Sequence, residues 1–194
     1  MFKNMKIGAR LGLGFGLVLV LLSMIAFVGI TRLGGLNNDV DNMANDKYPK
    51  TVLANNLIDA MNTVARVNRN TLLTDDPAEL DKQRAIRDEA RKQIGEIMQK
   101  LEDTVKSEAG IKKVEAIKEA RTAYVTVLDK FIETNKSGDR KGAIAMLFGE
   151  FSPVTAAYLK SINDLIDFQD ELMKKSGEEA NQSYLEARNM MITM

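Results

Sequence analysis

The sequence predicts an all-α fold: an up-down-up-down four-helix bundle with long first and last helices, preceded by one transmembrane helix. Three observations predict it. An uncharged apolar run extends from Leu11 to Thr31. Beyond it, apolar residues recur at steps of three and four, the helical period. Only three breaks interrupt that pattern, and no alternating β-rich segment competes with it.

The run Leu11–Thr31 has a length of 21 residues without a charge. At roughly 1.5 Å per residue it spans about 31 Å, matching a hydrocarbon core of about 30 Å. A cleaved secretory signal has a shorter apolar core and ends in a small-residue site. This run is longer and no such site follows, so a retained anchor is expected. Lys3, Lys6 and Arg10 precede the run and Arg32 follows it. The positive-inside rule leaves residues 1–10 in the cytoplasm and sends the remainder across.

Beyond the anchor, Thr74-Asp75-Asp76-Pro77 ends a first helical stretch that begins near Leu33. Asp76 is a candidate N-cap, Pro77 suits a first turn, and Glu79 favours the positive helix end. A second helix continues to about Val105, and Gly110 is expected to close the following turn. A third covers about Ile111 to Lys136, ending at Ser137-Gly138-Asp139. A fourth begins near Arg140, is interrupted around Gly149 to Pro153, and runs on to the last residues. Short turns between such helices give antiparallel neighbours.

The first and last helices are each about 40 residues or longer, the middle two nearer 25–30, roughly 60 Å against 40 Å. The first starts at the membrane, so its surplus lies there. Residues 33–48 are expected to pair with 176–194 as a two-helix stalk, with Pro49 at the exit, where a kink is tolerable. The resulting division is a cytoplasmic stretch 1–10, a membrane helix 11–31, a four-helix bundle 32–189 across the membrane, and at 190–194 the expected start of a second membrane helix.

The composition narrows the chemistry. Cysteine, histidine and tryptophan are absent. That removes disulfides, the usual zinc ligands, the commonest general base and the best thiol nucleophile. No cofactor, metal site or catalytic residue is expected, and enzymatic action is the weakest option. Basic and acidic residues number 27 each, but three of the bases precede the anchor and every acid follows it. The part beyond Thr31 therefore carries about −3, with no basic face for nucleic acid.

The opening MFKNMKIGARLGLGFGLVLVLLSMIAFVGITRLGGLN resembles the first membrane helix of bacterial methyl-accepting chemotaxis proteins. Pro49, the segment Arg66-Val67-Asn68-Arg69-Asn70-Thr71-Leu72-Leu73 and the late Tyr184-Leu185-Glu186-Ala187-Arg188 resemble their four-helix ligand-binding domain. The likeness covers essentially the whole chain. It implies a homodimeric sensor in the periplasm, anchored in the bacterial inner membrane. It also implies a second membrane helix, a HAMP linker and a cytoplasmic hairpin acting on a kinase and its adaptor. In the resembling receptors, basic residues at this level of the first helix reach across the dimer interface to an acidic ligand. That role carries over to Arg66 and Arg69 only, because the three-arginine spacing of the aspartate receptor is not present.

Polar residues on apolar stripes mark the candidate site, since burying them costs free energy unless something satisfies them. In the third helix the stripe reads Val114, Ile117, Arg121, Tyr124, Leu128, Phe131. A guanidinium at Arg121 needs an acid, either a ligand carboxylate held bidentately or an internal partner; a snorkelling side chain is the third option. In the fourth helix Phe151, Val154, Tyr158, Ile162 and Leu165 form the stripe. Thr155 lies beside Tyr158 after the break at Ser152-Pro153, whose freed backbone groups favour anions; plain core with a bonded hydroxyl is the alternative for the tyrosine. In the first helix Ile58, Met61, Ala65 and Leu72 are expected to enclose Arg69, with Arg66 on the polar side. Arg84, Arg87 and Arg91, surrounded by Asp81, Asp88 and Glu89, read as a solvated face.

Arg66, Arg69, Arg121, Tyr124, Thr155 and Tyr158 would together form a cationic, hydroxyl-rich pocket suited to a small di- or tricarboxylate. Tyr and Arg so arranged resemble the citrate- and malate-sensing receptors of the family. The expected function is a chemoreceptor sensor that binds a small organic acid. The competing readings are the sensor of a membrane histidine kinase and a tethered bundle without a small ligand. The last of these requires Arg121 to be paired internally.

Overall fold

The computed structural model describes residues 6–193. Lys3 and Met194, used in the charge and length arguments, lie outside the described residues. Helix α1 (Ile7–Asn42) passes through a π-helical turn (Met43–Lys47) into α2 (Tyr48–Asn70). After it come α3 (Pro77–Thr104), α4 (Glu108–Lys136), the short α5 (Arg140–Phe148) and α6 (Phe151–Thr193). The fold is all-α, with a four-helix bundle built from α2, α3, α4 and α6.

The π turn has a cause in the sequence. Pro49 has no N–H to donate and its ring collides with the carbonyl four residues back, at Asn45. A local i→i+5 stretch absorbs that conflict without breaking the helix. The helix is therefore continuous from Ile7 to Asn70, and its most apolar window is wholly unburied. It starts four residues before Leu11, and no backbone break marks the expected boundary at Thr31.

Two compact units divide the chain, one spanning residues 46–172 and the other combining those up to 45 with those from 173 onward. In the second of these, Ala180 and Ala187 are the buried side chains of α6. Their seven-residue spacing puts both on one helix face.

Within the bundle unit the caps follow from the residues. Asp76 accepts a bond from the Ala78 N–H at 3.0 Å at the start of α3. Ser107 accepts from the Gly110 N–H at 3.2 Å at the start of α4. Gly110 is thus inside the first turn of α4 rather than closing the preceding loop. A Cβ there would lie 2.6 Å from Val105 Cγ1 and 2.8 Å from Ser107 Oγ, so this position is kept small by close approach. Gly110→Ala should gain about 1 kcal/mol of helix propensity and lose about 1–3 kcal/mol to overpacking. A net fall in the urea midpoint with unchanged m-value is the expected result. Gly138, at φ 87°, closes α4 in the left-handed region. The interruption between α5 and α6 falls at Gly149 and Glu150, slightly before Ser152-Pro153, and bends the axis by 43°.

The core stripes on α4 and α6 fall on the expected positions: Val114, Ile117, Tyr124, Leu128 and Phe131 are buried, as are Phe151, Tyr158, Ile162 and Leu165. On α2 the stripe is turned by one residue. Ala54, Leu57, Met61, Val64 and Asn68 are buried, whereas Ile58 and Ala65 are only half-buried and Arg69 is exposed. On α3 the buried line is Gln83, Arg87, Ala90, Ile94, Met98 and Leu101. Side chains from these four helices form one continuous apolar cluster, and Leu72, Phe131, Ala143 and Met146 form a smaller one.

Candidate functional site

Tyr124 and Tyr158 face each other across the bundle because each occupies a core position on its own helix. Their ring centroids are 5.5 Å apart at 52°, and Phe151 stacks on Tyr124 at 5.1 Å and 57°. Tilted pairs at these separations are favourable arrangements of aromatic quadrupoles. Phe131 extends the row, 6.0 Å from Phe151.

A cavity of about 110 Å³ adjoins the two tyrosines, and Arg121, Arg91, Val64 and Ile94 complete much of its lining. Arg91 is held by Asp129 at 3.0 Å. Arg121 is half-buried and, among the described residues, has no ion-pair or hydrogen-bond partner. Both tyrosine hydroxyls are buried and, among the described residues, without a hydrogen-bond partner. An orphaned buried hydroxyl costs about 1–3 kcal/mol, so two at one cavity are an unusual concentration of unmet bonding capacity.

Burial raises both phenols. It pushes Tyr158 up to about 12, partly offset by the Arg121 cation. Burial raises Tyr124 further, with the Tyr158 phenol adding to the effect and the Arg91 cation opposing it. Both therefore stay neutral and can donate. In the unfolded chain they ionise near pH 10, so between pH 10 and 12 the folded state holds more protons. Stability is thus fully present below pH 10 and falls as pH rises through 12, by on the order of 2 kcal/mol for Tyr158. In alkaline denaturation followed by circular dichroism, Tyr158→Phe should flatten that fall.

Of the six residues predicted for the pocket, the structure brings together Arg121, Tyr124 and Tyr158. Thr155 is half-buried and donates its hydroxyl to the Phe151 carbonyl at 2.7 Å, a local bond within α6; it does not line the cavity. Arg66 and Arg69 are exposed on α2 and do not line it either. Arg69 is not enclosed by Ile58, Met61, Ala65 and Leu72, because the buried face of α2 lies one residue away. The second correction concerns α3. Arg84, Arg87 and Arg91 do not share a solvated face: Arg87 is 8% exposed, and Arg84 and Arg91 are half-buried. Arg91 is a cavity residue that the surrounding acids disguised. Stepping back along α3 from Met98 through Ile94 by fours and threes reaches Ala90 and then Arg87, so the buried phase was available.

The fold defines a helical bundle module, and comparison with known families supplies its role. The match to the four helix bundle sensory module for signal transduction spans residues 4–184. The chain belongs to that family, whose sensors are of the methyl-accepting chemotaxis type and which is not an enzyme class. No curated protein matches the chain.

Proposed function

We propose that this chain is the sensor part of a membrane-anchored chemoreceptor and that a small carboxylate binds between Arg121, Tyr124 and Tyr158. One observation carries the reading: among the described residues, a half-buried guanidinium without an acid stands beside two buried hydroxyls without acceptors. A carboxylate supplies what all three lack. It accepts a bidentate pair from the arginine and a bond from each phenol. The cavity is well below the roughly 300–1,000 Å³ of sites for drug-sized ligands. That favours a short mono- or dicarboxylate over citrate within the range of acids considered.

The anchor is the helix segment through Leu11–Thr31, placed in the bacterial inner membrane. Lys6 and Arg10 face the cytoplasm and the bundle lies in the periplasm. Arg66 and Arg69, exposed on α2, are available to a second copy of the chain in a homodimer. Binding at Tyr158 bears directly on α6, which continues without a break to Thr193. A small displacement of that helix is the signal, passed toward a cytoplasmic kinase and its adaptor.

The test is a thermal-shift screen of the full chain in detergent against acetate, succinate, malate and citrate at constant ionic strength. A saturable rise in Tm with a short acid supports the reading, as linkage requires for a ligand that binds only the folded state. If no acid raises Tm, the carboxylate reading is wrong.

A further inference from the structure

A larger cavity, about 190 Å³, lies elsewhere in the bundle unit, between the end of α2, the start of α3 and the end of α4. Arg84, Arg87, Lys136, Thr71, Thr74 and Asn135 supply its polar lining. It shares no residue with the Arg121 cavity.

Its centre of interest is Arg87. Burying a cation costs free energy unless it is paired and hydrogen-bonded. This one is nine-tenths buried, yet its one ion-pair contact among the described residues is from Nε to Asp88 at 3.3 Å, and Asp88 is itself largely exposed. The two terminal nitrogens of the guanidinium have no partner among the described residues. Arg84 spends one nitrogen on the exposed Asp81 at 2.9 Å. Lys136 makes no ion pair among the described residues. The single acid in the lining, Asp75, is drawn toward Arg140 at 3.5 Å.

The neutral polar groups divide sharply. Thr71 has no hydrogen left to give: it donates to the Asn68 carbonyl at 2.8 Å and accepts from Asn135 at 3.2 Å. Thr74 accepts from the Asp76 N–H at 3.1 Å and keeps its own hydroxyl hydrogen to give. Donors from Arg84, Arg87, Lys136 and Thr74 thus line one cavity, against the Asp75 carboxylate and the Asn135 amide oxygen as acceptors. A planar carboxylate has two oxygens to offer them, whereas a tetrahedral oxyanion has four.

We infer that this cavity binds a compact tetrahedral oxyanion of the phosphate type, held by Arg87 from within and by Arg84 and Lys136 at the rim. The site ties the α2–α3 connection to the end of α4, so occupancy stiffens the end of the bundle where those elements meet.

The test is isothermal titration of the full chain in detergent with inorganic phosphate, ionic strength held with chloride. The parent should show saturable binding. Lys136→Gln should weaken it several-fold and Arg87→Met by tenfold or more, while Arg121→Met leaves it unchanged. Should Arg87→Met fail to fold, the double variant Arg84→Gln/Lys136→Gln takes its place, since both side chains reach solvent. Absence of saturable binding overturns the inference, as does binding that persists in the Arg87 or double variant. Binding lost in Arg121→Met instead would put the anion in the other cavity and also overturn it. A general stabilising effect of phosphate on folding appears equally in every variant, and only such an effect would likewise overturn it.

Discussion

Replacing Arg121 by methionine should abolish the acid-dependent rise in Tm while leaving the unliganded protein nearly as stable as its parent. The two halves of that expectation have separate causes. Arg121 makes no ion pair among the described residues, so its removal strands no acid inside the protein. Methionine keeps most of the apolar stem that packs beside the tyrosines, which holds the stability change within about 1 kcal/mol. Ligand binding is another matter. Truncating one partner of a buried, hydrogen-bonded charge pair costs about 2–4 kcal/mol, or roughly 30- to 1,000-fold in affinity. Arg121→Lys should retain part of the binding, because an ammonium keeps the charge and loses the planar fork. Should Arg121→Met lose several kcal/mol of stability without ligand present, or respond to acids like the parent, the carboxylate role of this arginine is wrong. Differential scanning fluorimetry with and without the best acid reads both quantities in one experiment.

How far the sequence carried depended on how strongly each helix marks its own phase. On α4 and α6 large apolar side chains occupy nearly every core position, so Tyr124 and Tyr158 were legible as inward-facing. Arg121 was legible as the polar exception on such a stripe. On α2 the pattern is blurred by small and β-branched residues on adjacent positions: Ala54, Ala60, Val64, Ala65 and Val67 fit two phases almost equally well. A shift of one residue turns a helix by about 100°. That shift separates an inward Arg69 from an inward Asn68, whose amide is fully buried without a partner among the described residues. On α3 the inward line begins with Gln83 and Arg87, and neighbouring acids made a buried arginine look solvated. Charge pairs at helical spacing are common on exposed faces, so the signal that separates the cases is the continuation of the apolar line at Ala90, Ile94 and Met98. The π turn was beyond reach in another way. Pro49 signalled a disturbance, but whether a helix kinks, ends or takes up an extra residue depends on what its neighbours allow.

Two substitutions at Tyr158 separate the fold from the site, and they should move stability in opposite directions. Tyr158→Ala removes a ring that is fully buried and packed against Tyr124. Large-to-small changes of this kind cost about 3–5 kcal/mol through lost transfer energy and the cavity left behind. The bundle should lose a large part of its stability, since whole domains hold only about 5–15 kcal/mol. Tyr158→Phe keeps the ring and deletes a hydroxyl that has no acceptor. Removing an unsatisfied buried group is neutral or stabilising, so the melting temperature should hold or rise. Yet the same change takes away a donor to the bound carboxylate, and the acid-dependent shift should shrink by about tenfold in affinity. A hydroxyl kept at a cost to folding and recovered on binding is the signature of a recognition group. If Tyr158→Phe instead destabilises the unliganded chain by more than about 1 kcal/mol and binds acids as the parent does, the hydroxyl serves the core alone. The carboxylate site would then reduce to Arg121 and Tyr124, two groups from a single helix, with no direct hold on α6.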